Sequence, residues 1–353
     1  MTEEKSQVVS LEDEIDHETL GKIQDRLAHI MRLWQSGKPF FPRALLEDLN
    51  RQIDAGHDEV HIQDLDEVPQ TYSLKVPAWC ADFANTYRIN YSSIQYLGHL
   101  APICPELALR HDHTPVSIGY TRAPPLSTCT LDEVRVRFSQ TRHLWMESTT
   151  RRDLEHHLST LTLSVPVNKI VCFALGSLAS RSDSHPSGSS DEDWHVTRAH
   201  AQHAAIESMV SVLSARGMVQ SEGVRCFAQD PAYDAVDKEF LREIGIVVLE
   251  DPKGFLEVDS NTLVFSVSPN VPVKQIVADL QWPAAMVWNT VSLAEKEDKT
   301  WVRNVKKNGE VYWTSPFTTD PDCARVGNMV KGYARATLSD ADELFGDMTI
   351  YTK

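Results

Sequence analysis

The sequence predicts an α/β protein whose core is a doubly wound, mainly parallel sheet of five strands. Two observations predict this fold. Between about residues 167 and 291, short apolar runs alternate with helical segments, and the first run, Ile170 to Leu175, holds six apolar residues in succession. An uninterrupted apolar run is typical of a strand buried on both faces, and the alternation of strands with helices is typical of a parallel sheet.

The predicted strands and helices of the core follow one another in a regular order. Each helix carries its apolar residues on one face, and Gly217 and Gly245 mark the ends of two helices. Right-handed crossovers bring the carboxyl ends of all five strands to one edge of a Rossmann-like sheet. The predicted strands are 169–175, 224–228, 245–249, 262–267 and 285–289, and the predicted helices are 198–216, 235–244 and 271–281.

Outside this core, the pattern of apolar residues changes on both sides. The N-terminal part repeats apolar residues at helical spacing, apart from one short strand near 115–121 that prolines end. The C-terminal part is rich in glycine and polar residues, with a predicted hairpin around Asn308 and a helix near 322–336. The chain therefore divides into an acidic flexible tail (1–12), a mostly helical N-terminal region (13–164), the α/β core (165–292) and a C-terminal extension that packs on the core (293–353).

Composition and charge narrow the classes of function. The net charge is −16, and no apolar run approaches the roughly 20 residues that span a bilayer. The N-terminus is acidic, whereas a secretory signal is basic and then apolar, so we expect a cytoplasmic protein without a membrane partner. The six cysteines form no C-x-x-C pair, and His195, His200 and His203 lack a recognisable third ligand, so we expect neither a disulfide nor a metal.

One stretch is basic despite the overall negative charge. Residues 134–152 hold five arginines and a single acid, Glu147. Arginine side chains neutralise backbone phosphates, so a surface of this kind can bind RNA. The residues of this predicted surface are Arg135, Arg137, Arg142, Arg151 and Arg152.

Small or polar residues follow all five predicted strands. Because the carboxyl ends of parallel strands meet at one edge, these residues form the candidate binding site. Ser177 is a nucleophile, a hydrogen-bond donor to a ligand or simply part of a turn, and the sequence leaves these alternatives open. The other strand-end residues, predicted to bind substrate, are Gly176, Asp230, Asp251, Asn270 and Asn289.

Three site motifs are absent from the sequence. The chain has no G-x-G-x-x-G loop, no G-x-x-x-x-G-K-[ST] loop and no G-x-S-x-G elbow. Dinucleotide binding, P-loop phosphate transfer and the usual serine-hydrolase chemistry are therefore disfavoured, and we expect no cofactor. The Ser-rich loop at 178–197 is long for a strand-to-helix connection, which is typical of a lid or of a mobile insertion.

Acidic residues are concentrated after the second predicted strand, in "QDPAYDAVDKEFLREIG". Asp234 and Asp237 have the spacing of a helix cap, which would make them structural. Alternatively, Asp230, Asp237 and Glu239 would supply the planar carboxylate partners that a guanidinium group prefers. Tyr233 lies within a turn of these acids, where it would relay a proton or orient an amine.

A family resemblance is carried by the segments "NKIVCFALGSL", "QHAAIESM", "FAQDPAYDAVDKEFLREIGIVVLED", "TLVFSVSPN" and "QIVADLQWPAAMVWNT". Together they resemble the sensitivity-to-red-light-reduced (SRR-like) domain family over roughly residues 165–291. The shared features are a strand ending in Gly-Ser, a glutamine at the start of the next helix, an Asp-Pro after the second strand and an asparagine after the last. The sequence departs at "SVSPNVP", where the family often shows a Pro-His pair, so no role of that histidine is carried over.

The flanking segments resemble one subset of that family. "QSGKPFFPRALLEDLNRQI" before the core and "WTSPFTTDPDCARVGNMVKGY" after it resemble the fungal arginine-containing cyclodipeptide synthases. That resemblance implies an aminoacyl transfer of secondary metabolism, in which arginyl-tRNA and a second aminoacyl-tRNA condense to an arginine-containing diketopiperazine. Aminoacyl esters are already activated, so the reaction requires neither ATP nor a metal.

The resemblance gives the candidate residues particular roles. Ser177, Tyr233, Asp237 and Glu239 are the expected catalytic residues, and the five arginines are expected to bind the tRNA. The competing interpretation is a non-catalytic SRR-like regulatory protein that binds partners through its N-terminal region. A nucleotide-binding oxidoreductase is a third alternative, which the missing glycine fingerprint disfavours.

Overall fold

The centre of the fold is a seven-stranded sheet with helices on both faces. The computed structural model describes residues 16–102, 104–124, 129–180, 190–216, 223–292, 301–306 and 308–353. The predicted acidic tail, 1–12, lies outside the described residues, as does the 181–189 part of the Ser-rich loop.

The N-terminal region forms helices and two antiparallel hairpins. Strand β1 pairs with β2 and strand β3 pairs with β4. The first helix begins at Asp16, whose side chain accepts a hydrogen bond from the backbone of Thr19 at 2.9 Å, the usual role of an aspartate at a helix start. These elements are α1 (His17–Gln35), α2 (Arg43–Asp54), β1 (Glu59–Gln63), β2 (Pro69–Ser73), β3 (Thr86–Tyr91), α3 (Ile94–Gly98), β4 (Val116–Thr121), α4 (Leu131–Glu147) and α5 (Thr149–Thr160).

The remaining elements build the central sheet and its coverings. The hairpin predicted around Asn308 is present as β10 and β11. The elements are β5 (Lys169–Phe173), α6 (Ser190–Ala215), β6 (Arg225–Gln229), α7 (Ala235–Glu243), β7 (Ile246–Val248), α8 (Lys253–Glu257), β8 (Thr262–Ser266), α9 (Val273–Leu280), β9 (Ala285–Asn289), β10 (Val302–Val305), β11 (Val311–Thr314), α10 (Ala324–Val330), β12 (Ala334–Leu338) and β13 (Met348–Thr352).

The strand order of the sheet is β12-β13-β9-β8-β5-β6-β7. The five predicted strands form a parallel block, but the predicted total of five is wrong. The C-terminal extension contributes two further strands, because β13 pairs with β9 and β12 pairs with β13, both antiparallel. The order along the parallel block reverses between β5 and β8, which is where ligands bind in open α/β sheets.

The N-terminal region has more helix than strand, but it contains strands that the sequence does not predict. Of its strands, only β4 was predicted, and β1, β2 and β3 were not. Their sequences, such as "EVHIQ" and "PQTYS", bury one or two side chains each and are too short and polar for a clear strand pattern. The paired strands of each hairpin stabilise one another.

The two faces of the sheet pack against different parts of the chain. One face carries α4, α5, α6 and α7, around buried side chains that include Trp145 and Phe240. The other face carries α8, α9, α10 and much of the N-terminal region, around Phe41, Phe255 and Trp288. No helix within the described residues combines the length and apolar character that crossing a membrane requires.

Arg325 joins the two ends of the chain on the second face. Its guanidinium lies 3.5 Å from the centroid of the Trp34 ring, and one nitrogen lies 2.7 Å from Asp279. Asp279 in turn accepts hydrogen bonds from the backbone of Phe40 and Phe41 at 2.6 and 3.1 Å. A half-buried cation bound by a carboxylate and an aromatic face fixes the segment between α1 and α2 against the core.

A second buried ionic group anchors the C-terminal extension. Lys274 lies 2.5 Å from Asp322, and its backbone N–H donates to Asp320 at 3.0 Å. Burial raises the pKa of the Asp320 carboxyl to about 7, although the charge and backbone N–H of Lys274 act in the opposite direction.

Asp320 is expected to make stability depend on pH. Because its folded-state pKa of about 7 lies above the ordinary value of an aspartate, its contribution is fully present below about pH 4 and is lost as pH rises towards 7. The loss is on the order of 2–4 kcal/mol. In Asp320→Asn, urea unfolding between pH 5 and pH 8 is expected to show a clearly smaller fall in stability than in wild type. An identical pH dependence in the two proteins would contradict this assignment.

Candidate functional site at the carboxyl edge of the sheet

The turn after β5 lies at the reversal of strand order and is held by two carboxylates. Gly176 has a φ of 78°, a conformation that L side chains rarely adopt, and its N–H donates to Asp230 at 2.8 Å. Asp237 accepts from the backbone of Leu178 at 2.8 Å and of Ala179 at 2.9 Å. The turn that presents Ser177 is therefore shaped by acids that follow the neighbouring strand β6.

These bonds decide between the two predicted roles of the acidic cluster. Asp234 and Asp237 form a reciprocal cap at the start of α7, and Asp237 is fully buried. Burial raises the pKa values of Asp230 and Asp237, while the hydrogen bonds that each accepts oppose the shift. Asp230 and Asp237 are thus occupied by the protein's own backbone, which favours the structural interpretation.

Glu239 does not join this cluster. It is exposed, whereas Asp237 is buried, because residues two positions apart on a helix point to different sides. The prediction that Asp237 and Glu239 share one guanidinium is therefore wrong.

Tyr233 is buried behind the turn rather than facing a ligand. Its hydroxyl lies 2.8 Å from Nε2 of His203, and Nδ1 of His203 lies 2.7 Å from the Ala199 carbonyl. Since a carbonyl only accepts, Nδ1 carries the proton and the tyrosine donates to Nε2. Burial lowers the pKa of His203 to about 4, so the ring is neutral. This geometry gives Tyr233 a positioning role and does not support the predicted proton relay.

Ser177 is half-buried, and its hydroxyl hydrogen-bonds to Asp237. Within the described residues, no histidine forms a hydrogen bond with it. His200 donates through Nε2 to the Leu178 carbonyl at 3.1 Å. Its buried Nδ1 has no hydrogen-bond partner within the described residues. The arrangement of serine and histidine base that activates a nucleophile is therefore not seen at Ser177.

A groove of about 500 Å³ opens at the same edge of the sheet, beyond the carboxyl ends of β8 and β9. One wall is the start of α6, where Arg198 lies 4.4 Å from the ring of Trp194 and donates through Nε to the Leu344 carbonyl at 2.9 Å. Burial lowers the pKa of Arg198, with nearby Asp340 acting in the opposite direction. The volume suits a ligand of dipeptide size.

The opposite wall is the connection between β12 and β13. Asp340 accepts hydrogen bonds from the backbone of Leu344, Phe345 and Gly346, and so holds this connection in shape. Glu343 and Asp347 also line the groove and are exposed. The carboxylates that line this groove thus come from the C-terminal extension, in which the sequence predicts no site residue.

The floor of the groove includes Ser268 and Asn289. The Ser268 N–H donates to the Asn289 amide oxygen at 2.9 Å, which leaves the amide nitrogen directed towards the Asp347 carbonyl at 3.5 Å. Asn289 is therefore at the edge as predicted. Asn270 is exposed and does not line the groove.

Asp251 lies at the same edge, on the other face of the sheet. Its Oδ1 accepts from the Tyr91 hydroxyl at 2.7 Å and from Gln229 at 3.0 Å. Burial raises its pKa to about 7, and these two donors lower it.

A model of the SRR1 domain matches residues 150–352, which is more than half of the chain. The chain belongs to the SRR1 domain family. This confirms the SRR-like resemblance seen in the sequence. The matched residues of this SRR1-domain protein extend further than the predicted core, since they include α5 and the strands of the C-terminal extension.

Two further comparisons add little to the family assignment. No curated protein matches this SRR1-domain chain. A solved structure described as a DhpI-SAM-HEP complex matches 63% of the chain and 95% of its own length, at 11% sequence identity and a TM-score of 0.26.

The predicted arginine surface of the SRR1-domain protein is largely paired with acids. Arg135 binds Asp132 and Glu243, Arg142 binds Glu207 at 2.5 Å, and Arg151 binds Glu155 at 2.7 Å. No acidic partner is recorded within the described residues for Arg137, which is half-buried, or for Arg152, which is exposed. The start of α5 contacts the β12–β13 connection, because the Thr150 hydroxyl donates to Asp342 at 2.8 Å.

Within the residues that the structure describes, no group of three histidine, cysteine or acidic side chains is placed to hold a metal ion. The three histidines considered in the sequence are not a set, since His200 and His203 bind backbone carbonyls.

Proposed function

We propose that this SRR1-domain protein is a tRNA-dependent cyclodipeptide synthase that joins arginine to a second amino acid. The observation that carries the proposal is the groove at the carboxyl edge, which combines one guanidinium, one amide and exposed carboxylates. The order of the parallel strands, β7-β6-β5-β8-β9, supports the Rossmann-like interpretation of the core. The flanking sequences that resemble arginine-containing synthases support the choice of substrate. We propose a cytoplasmic location, where aminoacyl-tRNA is found.

Arginine recognition is assigned to Glu343 and Asp347. The guanidinium group prefers planar carboxylate partners, and these two exposed carboxylates line one wall of the groove. Asp347 already accepts a hydrogen bond from the Thr290 hydroxyl at 2.6 Å, which holds its position. The backbone N–H of Glu343 donates to the Asp340 carbonyl at 3.2 Å, and its carboxylate has no hydrogen-bond partner within the described residues. We therefore move the proposed guanidinium site from the strand-β6 acids to the β12–β13 connection.

The ester carbonyl of the substrate is assigned to Arg198 and Asn289. Fixed donors that point at a developing oxyanion lower the barrier of acyl transfer. Arg198 uses one nitrogen on the Leu344 carbonyl, which leaves its other donors for a ligand. Ser177 hydrogen-bonds to Asp237, so its oxygen can accept a hydrogen bond from the attacking amine. We propose direct attack of the amine, without an acyl-serine.

The tRNA contact is assigned to the start of α5, which contacts the β12–β13 connection. Arg152 is exposed and has no recorded acidic partner within the described residues, whereas Arg135, Arg142 and Arg151 have acidic partners. Binding of phosphates by a small number of free arginines falls with added salt, because condensed counterions are released. The proposal therefore expects weak, salt-sensitive binding of tRNA.

Expression in a bacterial host tests the proposed function. Extracts of cells with the wild-type chain are expected to contain arginine-bearing cyclic dipeptides that are absent from the vector control. The double variant Glu343→Gln, Asp347→Asn is expected to reduce them by roughly thirtyfold or more, because the guanidinium loses both carboxylates. Glu310→Gln, an exposed carboxylate on the β10–β11 hairpin, serves as the matched control and is expected to act as wild type.

One observation favours the alternative of a non-catalytic interaction protein. Trp79 is 72% exposed and lies beside Phe83, with ring centroids 6.1 Å apart, on the N-terminal region. Exposed aromatic side chains of this kind are enriched in protein interfaces. Extracts without any arginine-bearing cyclic dipeptide, from cells that hold the folded protein, would favour this alternative.

A further inference from the structure

Trp194 lies on the α6 wall of the groove and is partly exposed. It is 40% exposed and is one of the residues that line the groove. Arg198 follows one helical turn further along α6, with its guanidinium 4.4 Å from the centroid of the Trp194 ring. The exposed part of the indole is therefore an aromatic surface in a groove that also holds charged groups.

The indole of Trp194 is restrained by two neighbouring side chains. Arg198 donates through Nε to the Leu344 carbonyl at 2.9 Å, so the cation that contacts the ring is itself fixed. The ring of His195 meets the indole edge-on, with the two centroids 4.9 Å apart. A restrained aromatic ring loses little conformational entropy when a flat ligand stacks on it. Trp194 thus has the properties of a stacking surface.

The proposed substrate brings a flat ring to this wall of the groove. In an aminoacyl-tRNA, the ester joins the amino acid on one side to the ribose of the terminal adenosine on the other. The arginine part is assigned to Glu343 and Asp347 on the opposite wall, and the ester carbonyl to Arg198. The ribose and the adenine base then extend towards α6. Since Arg198 contacts the ring of Trp194, the base comes within reach of the indole.

We infer that Trp194 stacks on the terminal adenine of the aminoacyl-tRNA. The inference rests on the proposed function and adds a contact with a nucleobase, whereas the arginines are assigned to phosphates. Unpaired bases stack on aromatic side chains, because every base has a π face. The exposure of Trp194 fits a base that stays joined to a tRNA in solvent, whereas a pocket for an amino acid side chain would enclose its ligand.

Fluorine NMR of the purified full chain tests this inference without any turnover. The eight tryptophans are replaced by fluorotryptophan, and the Trp194 signal is assigned by its loss in Trp194→Phe. The trinucleotide CCA, the 3′ end of tRNA, is expected to shift the Trp194 signal in a saturable way, because a stacked base changes the environment of the ring. The same ligand with an abasic ribose in place of the terminal adenosine is expected to leave the signal unchanged.

Trp282 is the matched control in the same spectrum. It is 39% exposed and lies just before β9, at the amino edge of the sheet and away from the groove. Its signal is expected to stay unchanged with both ligands. A Trp194 signal that CCA does not move up to its solubility limit overturns the inference. Equal shifts of Trp194 and Trp282 overturn it as well, and so does an equal shift with the abasic ligand, since the contact would then be with ribose or phosphate.

The kinetics of cyclic dipeptide formation connect the stacking to the proposed reaction. Trp194→Ala is expected to raise KM for arginyl-tRNA by about 5- to 100-fold, Trp194→Phe by a smaller factor because it keeps an aromatic ring, and Trp282→Ala not at all. An unchanged KM in Trp194→Ala, with a changed choice of second amino acid, would assign the ring to an amino acid side chain and overturn the inference. A folded wild-type protein that forms no product overturns the proposed function, and the NMR titration then decides the stacking by itself.

Discussion

Asp237→Ala is expected to lower the free energy of unfolding by about 3–5 kcal/mol, because it leaves buried donors without their charged acceptor. Asp237 accepts the backbone N–H groups of Leu178, Ala179 and Asp234 and is fully buried. Its removal would eliminate the hydrogen bonds that hold the turn at Ser177 and the start of α7 in place. Urea unfolding at pH 7 measures the loss, and any product formation is expected to disappear with the shape of the turn.

The same helix supplies the control for this prediction. Glu239→Ala, two residues further on, removes an exposed carboxylate and is expected to change stability by less than about 0.5 kcal/mol. Asp234→Ala removes a helix cap and is expected to cost about 1 kcal/mol. Equal losses in Asp237→Ala and Glu239→Ala would contradict the structural role given to Asp237.

Arg198→Ala is expected to reduce the rate of cyclic dipeptide formation by about 10²- to 10³-fold, as removal of an oxyanion donor does in other acyl transfers. Arg198 lines the groove beside Trp194, with one nitrogen on the Leu344 carbonyl. Arg198→Lys is expected to recover only a small part of the activity, since an ammonium cannot reproduce the planar set of donors.

Arg216→Ala is the matched control for Arg198. It lies at the other end of α6, where its guanidinium also donates to a backbone carbonyl, that of Leu158 at 2.5 Å. It is far along the helix from the groove and is expected to leave the rate unchanged. A rate in Arg198→Ala equal to that of Arg216→Ala would remove Arg198 from the proposed mechanism.

Local patterns in the sequence were sufficient to predict the parallel strands of the sheet and the cap at the start of α7. Strand β5 shows as an apolar run because it is buried on both faces. The spacing of Asp234 and Asp237 indicated a capping box, and the structure contains it. In both cases the residues that form the pattern lie within a few positions of one another in the sequence.

The groove could not be predicted in the same way, because its walls are distant in the sequence. Arg198 meets Glu343 and Asp347 only because β13 pairs with β9, some sixty residues before it. Strand β12, "ARATL", buries one residue and carries no strong strand pattern. Carboxylates next to β6 were therefore favoured for arginine, although their oxygens are taken by backbone N–H groups that a sequence does not show.

The most direct test of the proposed function uses purified protein and arginyl-tRNA that carries labelled arginine. Together with a mixture of the other aminoacyl-tRNAs, wild type is expected to convert the label to a cyclic dipeptide. Ribonuclease treatment before mixing is expected to abolish the product, and Arg198→Ala to reduce it about 10²-fold or more. A folded wild-type protein that leaves all the label on tRNA or as free arginine would contradict the proposed function.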